Sequence, residues 1–137
     1  MATKQIIRKE SKHTYLHLAY CMKLYKVCNK VLFKWMDDLD FMNLMNLRDT
    51  IDPVEVMPGK KGHVYYLLYV ISEKLLLKEW LASEWIECVL ERCNLKKESY
   101  YSHYTDVKNS RDDGDIEFRE AIAEAIKEAE NSKDYYE

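Results

Sequence analysis

Hydrophobic residues recur at helical spacing through the first quarter of the chain and predict one long helix from about Ser11 to Met36. When the residues are placed about 100° apart, the apolar ones share one broad side. They are Leu18, Cys21, Leu24, Tyr25, Cys28, Val31, Leu32, Trp35 and Met36. The opposite side, here called the basic face, holds Arg8, Lys9, Lys12, Lys23, Lys26, Lys30 and Lys34. The pattern therefore predicts a continuous two-sided helix over residues 8–36.

A second long apolar pattern runs from Val64 to about Cys93 and predicts another helix. Its first eight residues have the composition of a strand, but they do not alternate, and no Gly or Pro separates them from the helical pattern that follows. The first half is apolar on two sides, and the second of these sides carries Tyr69, Leu77 and Trp80. Because a helix that is apolar all round is covered on both sides, it is either the central helix of the bundle or part of an interface. In the second case these residues contact a partner or a second copy of the chain.

The remaining patterns are shorter. Asp37, Asp38 and Asp40 are placed to cap a short helix from Leu39 to about Leu47. Pro and Gly mark a loop at about 50–63, and a last helix with an alanine-rich inner side is predicted from about Ile116 to Glu130. The expectation is a single all-α domain over residues 1–137. It is a bundle of about four helices, two of them long, with frayed ends at about 1–8 and 131–137, that forms homo-oligomers.

Composition narrows the class of protein. The chain has 137 residues, 47% of them hydrophobic, with only three Gly and two Pro, which suits a helical domain with a core of its own. The longest apolar run is the eight residues from Val64 to Ile71, so no membrane-spanning helix is expected, and no secretory signal is recognised near Met1.

None of the four cysteines, Cys21, Cys28, Cys88 and Cys93, forms a C-x-x-C pair. We therefore expect reduced, mostly buried thiols and a cytoplasmic location.

Charge is divided unevenly along the chain. The net charge of −3 combines +7 over residues 1–36 with −5 over 37–93 and −5 over 94–137. The basic face supplies five candidate partner-binding residues, which are Lys12, Lys23, Lys26, Lys30 and Lys34. The sequence leaves open whether they bind an acidic protein, bind a nucleic acid or contact only solvent. The abundance of Lys and Tyr is typical of small regulatory or inhibitory accessory proteins, including viral ones.

Two segments have spacings that can suit metal ions. His13, His17 and Cys21 lie one helical turn apart, as soft ligands of zinc would, although no C-x-x-C or H-E-x-x-H accompanies them. The segment Asn109–Glu120 resembles an EF-hand calcium loop at Asp113, Gly114, Ile116 and Glu120. It departs from that pattern at Asn109 and at Arg111, where a cation replaces an oxygen ligand. We expect hydrogen-bonded core or boundary histidines at the first segment and a capped helix start at the second, with no metal and no cofactor.

One group of three residues resembles a known catalytic signature. Arg8, His13 and Tyr15 resemble the R-x4-H-x-Y signature of HEPN-type ribonucleases, which are also small all-α proteins. The resemblance implies that Arg8 would hold a phosphate and His13 would move a proton. The chain departs from the family in placing the motif at its start, with the polar spacer Lys-Glu-Ser-Lys.

Other catalytic signatures are missing from the sequence, including G-x-G-x-x-G, the P-loop, G-x-S-x-G and H-E-x-x-H. The sequence therefore predicts a small non-catalytic protein that binds and regulates or inhibits a macromolecular partner, most often a protein. The alternative is a nucleic-acid-binding protein that uses the basic face, with HEPN-like RNA cleavage as a further option.

Overall fold

The structure, a computed structural model, describes residues 14–133 and confirms the all-α fold. Seven α-helices form in this part of the chain, with a π-helical turn and a 3-10 turn between the third and fourth of them. In chain order the elements are α1 (Leu18–Cys28), α2 (Asp38–Met45), α3 (Lys61–Val70), the π turn (Ile71–Leu75), the 3-10 turn (Glu79–Leu81), α4 (Ala82–Arg92), α5 (Lys97–His103), α6 (Asp106–Asn109) and α7 (Asp113–Asn131).

The core is formed mainly where α1 lies along α7, with α2, α3 and α4 packed around them. The largest side chains that are completely enclosed include Trp85, Phe33 and Phe41. The indole Nε1 of Trp85 donates to the Met45 carbonyl at 2.7 Å, so the one polar atom of this side chain is satisfied inside the core. Burial of these aromatic rings and of the leucines around them supplies the main driving force for folding.

The predicted helix over residues 8–36 is wrong in its length. Within the described residues it spans only Leu18–Cys28, and its residues before Thr14 lie outside them. The chain turns at Lys30, which has a φ of 68°, and the Asn29 side chain accepts a hydrogen bond from the Met36 backbone at 2.9 Å. Lys34 then donates its backbone N–H to the carbonyl of Glu55 at 2.9 Å. These contacts satisfy the backbone in a way that excludes continuation of the helix.

The second long helix is also interrupted. After the π turn, Leu76 is extended, with φ −68° and ψ 138°, and it forms an isolated antiparallel bridge with Leu16. The backbone N–H of Leu77 donates to the carbonyl of Tyr15 at 2.9 Å. Pairing with a distant segment therefore replaces helical hydrogen bonds at a place where the leucines themselves favour a helix.

The caps and the loop follow the sequence prediction closely. Asp37 caps α2, and Asp112 caps α7 by accepting from the N–H groups of Gly114 and Asp115. Residues 50–60 are not helical, and the buried carboxylate of Asp40 accepts from the N–H groups of Ile51 and Asp52 at 2.8 and 3.1 Å. Asp40 therefore holds the start of this loop against α2, a role beyond helix capping.

Candidate functional site

A groove between α3, the π turn and α7 is the candidate functional site. Its floor is apolar and is formed by Val70, Leu75, Ile122 and Ile126. It encloses about 560 Å³. We call it the tyrosine groove, because Tyr66 and Tyr69 form one end; its rim consists of Glu73, Lys74, Lys108, Ala123 and Glu130.

The tyrosine groove lies between the π turn on one side and α7 on the other. On one side the π turn carries more residues per turn than an α-helix, and such turns are frequent at functional sites. On the other side Ile122 and Ile126 are spaced one helical turn apart on α7, and the exposed Ala123 beside them has no side chain beyond Cβ. Val70 and Ile126 therefore keep part of the apolar floor within reach of solvent, whereas Leu75 and Ile122 are buried.

Lys108 is fixed at the tyrosine end of the groove. Its Nζ donates to the hydroxyl of Tyr69 at 2.9 Å and lies 5.0 Å from the centroid of the same ring. The hydrogen bond to Tyr69 raises the pKa of Lys108, so the ammonium form is retained. Among residues 14–133, no carboxylate lies within 4.0 Å of this Nζ. Lys108 is thus an oriented cation without an ion-pair partner in the described part of the protein.

Further tyrosines extend the aromatic surface away from the groove. Tyr69 lies 5.3 Å from Tyr104, centroid to centroid, and Tyr104 stacks on Tyr100 at 5.4 Å. Burial raises the pKa of the Tyr100 hydroxyl above its ordinary value. A smaller cavity of about 350 Å³ lies between these rings and the start of α4. Ring contacts therefore connect the tyrosine groove to α5, where Tyr100 itself is only 2% exposed.

Three residues of the second predicted helix were candidates for partner binding, and the structure separates them. Tyr69 lies in α3 at the groove, whereas Leu77 and Trp80 belong to the non-α-helical segment between the π turn and α4. Leu77 is 51% exposed and Trp80 is 79% exposed. The expectation that they share one face of a continuous helix is wrong. Even so, all three lie close in sequence to the π turn that forms one wall of the groove.

The basic face does not form as a single helical surface in the described residues. Lys12 lies outside them, and α1 carries only Lys23, which is half-buried, and Lys26, which is exposed. Lys30 lies in the turn after α1, and Lys34 pairs with Glu55 at 3.0 Å. Because α1 ends at Cys28, the four described lysines do not line up on one helix.

A second groove, of about 610 Å³, lies at the start of α7 and contains a His–Asp pair. Nε2 of His63 is 2.7 Å from Oδ1 of Asp115, and the imidazole stacks on Phe118 with 4.4 Å between centroids. The hydrogen bond from His63 is the main cause that lowers the pKa of Asp115. The other ring nitrogen, Nδ1, is buried and has no hydrogen-bond partner. The pair links α3 to α7. No sequence pattern points to His63.

The segments with metal-like spacing are described except for His13, which precedes residue 14. Nδ1 of His17 accepts from the N–H of Ala19 at 3.0 Å and caps α1, while Cys21 is enclosed in the core. The resemblance of residues 109–120 to a calcium loop does not extend to the structure, because α7 already begins at Asp113. Within residues 14–133, no group of three His, Cys, Asp or Glu residues is placed to hold a metal ion.

The HEPN-like motif falls mostly outside the described residues. Arg8 and His13 precede residue 14, and Tyr15 is 3% exposed.

Among the helices of residues 14–133, none combines the length and the apolar character needed to cross a membrane. The chain matches no protein-family model, no curated protein and no solved structure.

Proposed function

We propose that this chain is a small non-catalytic protein that binds, and thereby regulates or inhibits, a protein partner through the tyrosine groove. The observation that carries the proposal is the placement of Lys108, held by Tyr69, beside an apolar floor of which Val70 and Ile126 are partly exposed. A concave apolar site with a few oriented polar groups is the usual form of a binding site.

Residue types in and near the tyrosine groove support a protein partner. Tyrosine and tryptophan are enriched at the centres of protein interfaces, where their large rings contribute much of the binding energy. The groove has two tyrosines at one end, and the highly exposed Trp80 follows the π turn that forms its wall. A protein partner that covers this region would remove Trp80 and Leu77 from water.

The experiment is a selection of random 16-residue peptides displayed on phage, performed against the full chain. Selected peptides are then measured with the Ala123→Arg variant, which places a long cation over the groove floor. The matched control is Glu124→Arg, one residue further along α7 and outside the groove lining. We expect peptides that bind the wild type to lose at least about tenfold in affinity to Ala123→Arg, equivalent to about 1.4 kcal/mol, and to keep their affinity for Glu124→Arg. Failure to select any peptide, or equal binding to both variants, would refute the proposal.

Nucleic-acid binding by the basic face is the second candidate function. Its support is that Lys26 and Lys30 are exposed, although they do not share a helix. The measurement is fluorescence anisotropy of labelled single-stranded and duplex RNA and DNA at two salt concentrations. Salt-sensitive binding that is lost in the Lys23→Glu, Lys26→Glu, Lys30→Glu triple variant would favour this function. RNA cleavage that is abolished by His13→Ala would replace both candidates with a HEPN-like enzyme.

Self-association through Leu77 and Trp80 is part of the proposal. Native mass spectrometry of the wild type and of a Leu77→Ser, Trp80→Ser double variant tests it directly, since both side chains are exposed and the variant is expected to fold. A wild-type oligomer that becomes a monomer in the variant is the expected result. A wild-type monomer at all concentrations would contradict self-association.

A further inference from the structure

We infer that the partner segment bound by the tyrosine groove is an amphipathic α-helix with an acidic side chain that pairs with Lys108. This inference rests on the proposed function and specifies the chemistry of its partner. It follows from three properties of the groove, which are its backbone, its apolar spacing and its charge.

The backbone around the tyrosine groove favours a helical partner. Both walls are helical, formed by α3 with the π turn and by α7, so most of their N–H and C=O groups are bonded within the walls themselves. An extended peptide would need a free strand edge to pair with, and these walls do not supply one. A helix satisfies its own backbone groups and presents only side chains to the groove.

The apolar floor has the spacing of one helical turn. Ala123 and Ile126 follow each other on the accessible side of α7 at i and i+3, about 4.5 Å apart along the helix axis, whereas Ile122 beside them is only 1% exposed. Apolar side chains one turn apart on a partner helix have a similar separation, so they match this part of the floor when the partner lies along α7. The small side chain of Ala123 leaves room for the two helices to approach closely.

The cation at the tyrosine end determines the polar part of the partner. The guanidinium of Arg119 donates to the carbonyls of Val107 and Ser110 at 2.7 and 2.8 Å, which holds the segment that carries Lys108 against the first half of α7. Lys108 is oriented by Tyr69, as described above. A carboxylate of the partner would gain a charge-assisted hydrogen bond from an ammonium that is already in position. An acidic residue about one turn from the apolar pair is therefore expected.

Other charges around the tyrosine groove do not cancel this preference. Glu73 is near enough to act on Lys108 electrostatically but does not form an ion pair with it. Glu130, at the far end of α7, accepts a hydrogen bond from the hydroxyl of Tyr20 at 3.2 Å. Near the tyrosine end the cationic groups are Lys108 and Arg119, both of which act on Tyr66. The acidic side chain of the partner is therefore expected at this end.

The experiment uses a helical 16-residue peptide library built on an Ala and Lys scaffold, in which two positions at i and i+4 and their neighbours one turn away are randomised. Against the full chain, we expect enrichment of Leu or Ile at the pair and of Asp or Glu one turn away. Against Lys108→Glu, the preference at the acidic position is expected to reverse to Lys or Arg. Lys127→Glu, the same charge change on α7 outside the groove lining, is expected to leave the preference unchanged.

The results distinguish this inference from the proposed function. A proline placed between the two apolar positions of a selected peptide breaks its helix and is expected to lower affinity at least about tenfold. If peptides bind in the groove but tolerate proline, or show no charge reversal with Lys108→Glu, the inference is overturned and the proposed function stands. If wild type sediments as a dimer that Ala123→Arg converts to a monomer, a second copy occupies the groove and the inference is again overturned. If no peptide binds, both fail.

Discussion

The side-chain oxygen of Asn46 accepts a hydrogen bond from the backbone N–H of Tyr15 at 2.7 Å, across 31 residues of sequence. The same oxygen accepts from the N–H of Leu16 at 3.0 Å, and the Asn46 amide donates to the carbonyl of Met42. Asn46 is almost completely buried. Asn46 therefore holds Tyr15 and Leu16 inside the core. The carbonyl of Tyr15 in turn accepts the hydrogen bond from the backbone N–H of Leu77.

Substitution of Asn46 by Ala is expected to lower the free energy of unfolding by about 2–4 kcal/mol, because two buried N–H groups lose their acceptor. Urea denaturation followed by circular dichroism measures the change. Asn43→Ala, three residues earlier within α2 and only half-buried, serves as the matched control and should change stability by less than about 0.5 kcal/mol. A loss below about 1 kcal/mol for Asn46→Ala would show that the segment is held by other contacts.

Two tryptophans with opposite environments provide a second pair of variants. Trp85→Phe removes the donor to the Met45 carbonyl and leaves space in the core, so we expect a loss of about 2–3 kcal/mol. Trp80→Phe, at an exposed position, should cost less than about 0.5 kcal/mol. Thermal and urea unfolding of both variants tests this. Equal destabilisation would mean that Trp80 is covered in the folded protein in solution.

The His63–Asp115 pair predicts a pH-dependent contribution to stability. Because the pKa of Asp115 is lowered in the folded protein, its carboxylate stabilises the fold above the ordinary Asp pKa of about 3.9. That stabilisation is lost as the pH falls through the lower, folded-state pKa. Asp115→Asn should therefore be about 1–2 kcal/mol less stable than wild type at pH 6–7, with the difference shrinking below pH 4.

The control for this pair is Asp106→Asn, which removes a similar contact to His103 at 2.8 Å. Both side chains of that pair are more than half exposed, so solvent screens the interaction and the expected change is below about 0.5 kcal/mol. Urea unfolding at several pH values compares the two variants. The prediction is wrong if Asp115→Asn is equally destabilised at every pH.

Thiol reactivity is expected to divide the four cysteines into two groups. Burial raises the pKa of Cys21 and of Cys93 to about 12, and it raises that of Cys28 still further. Cys88 is half-buried, and its pKa is also raised, first by burial and then by Glu84. Since the thiolate is the reactive form, a disulfide reagent at pH 8 should label at most Cys88, and slowly, before unfolding.

The same reagent should label all four cysteines once the chain is unfolded in urea. In the Cys88→Ser variant, no labelling of the native protein is expected within the same time. Fast reaction of two or more thiols in the native wild type would contradict the burial of the other three.

Part of the candidate site could be predicted from the sequence. Tyr69 was a candidate because it lies on the second apolar side of a helical pattern. Lys108 lies in a polar stretch without a period, so no pattern pointed to it. Its role depends on the distance between its Nζ and the hydroxyl of Tyr69, which is a property of the folded chain.

The sequence by itself determined the local structure. Helical periodicity and the capping residues Asp37 and Asp112 set the all-α class and the starts of α2 and α7, because these signals act within a few residues. Tertiary structure alone decided where the two long helical patterns end. The contacts that interrupt them, from Leu77 to Tyr15 and from Lys34 to Glu55, join segments distant in sequence. A backbone group bonded to a distant segment is no longer available to its own helix, and no local pattern reports that competition.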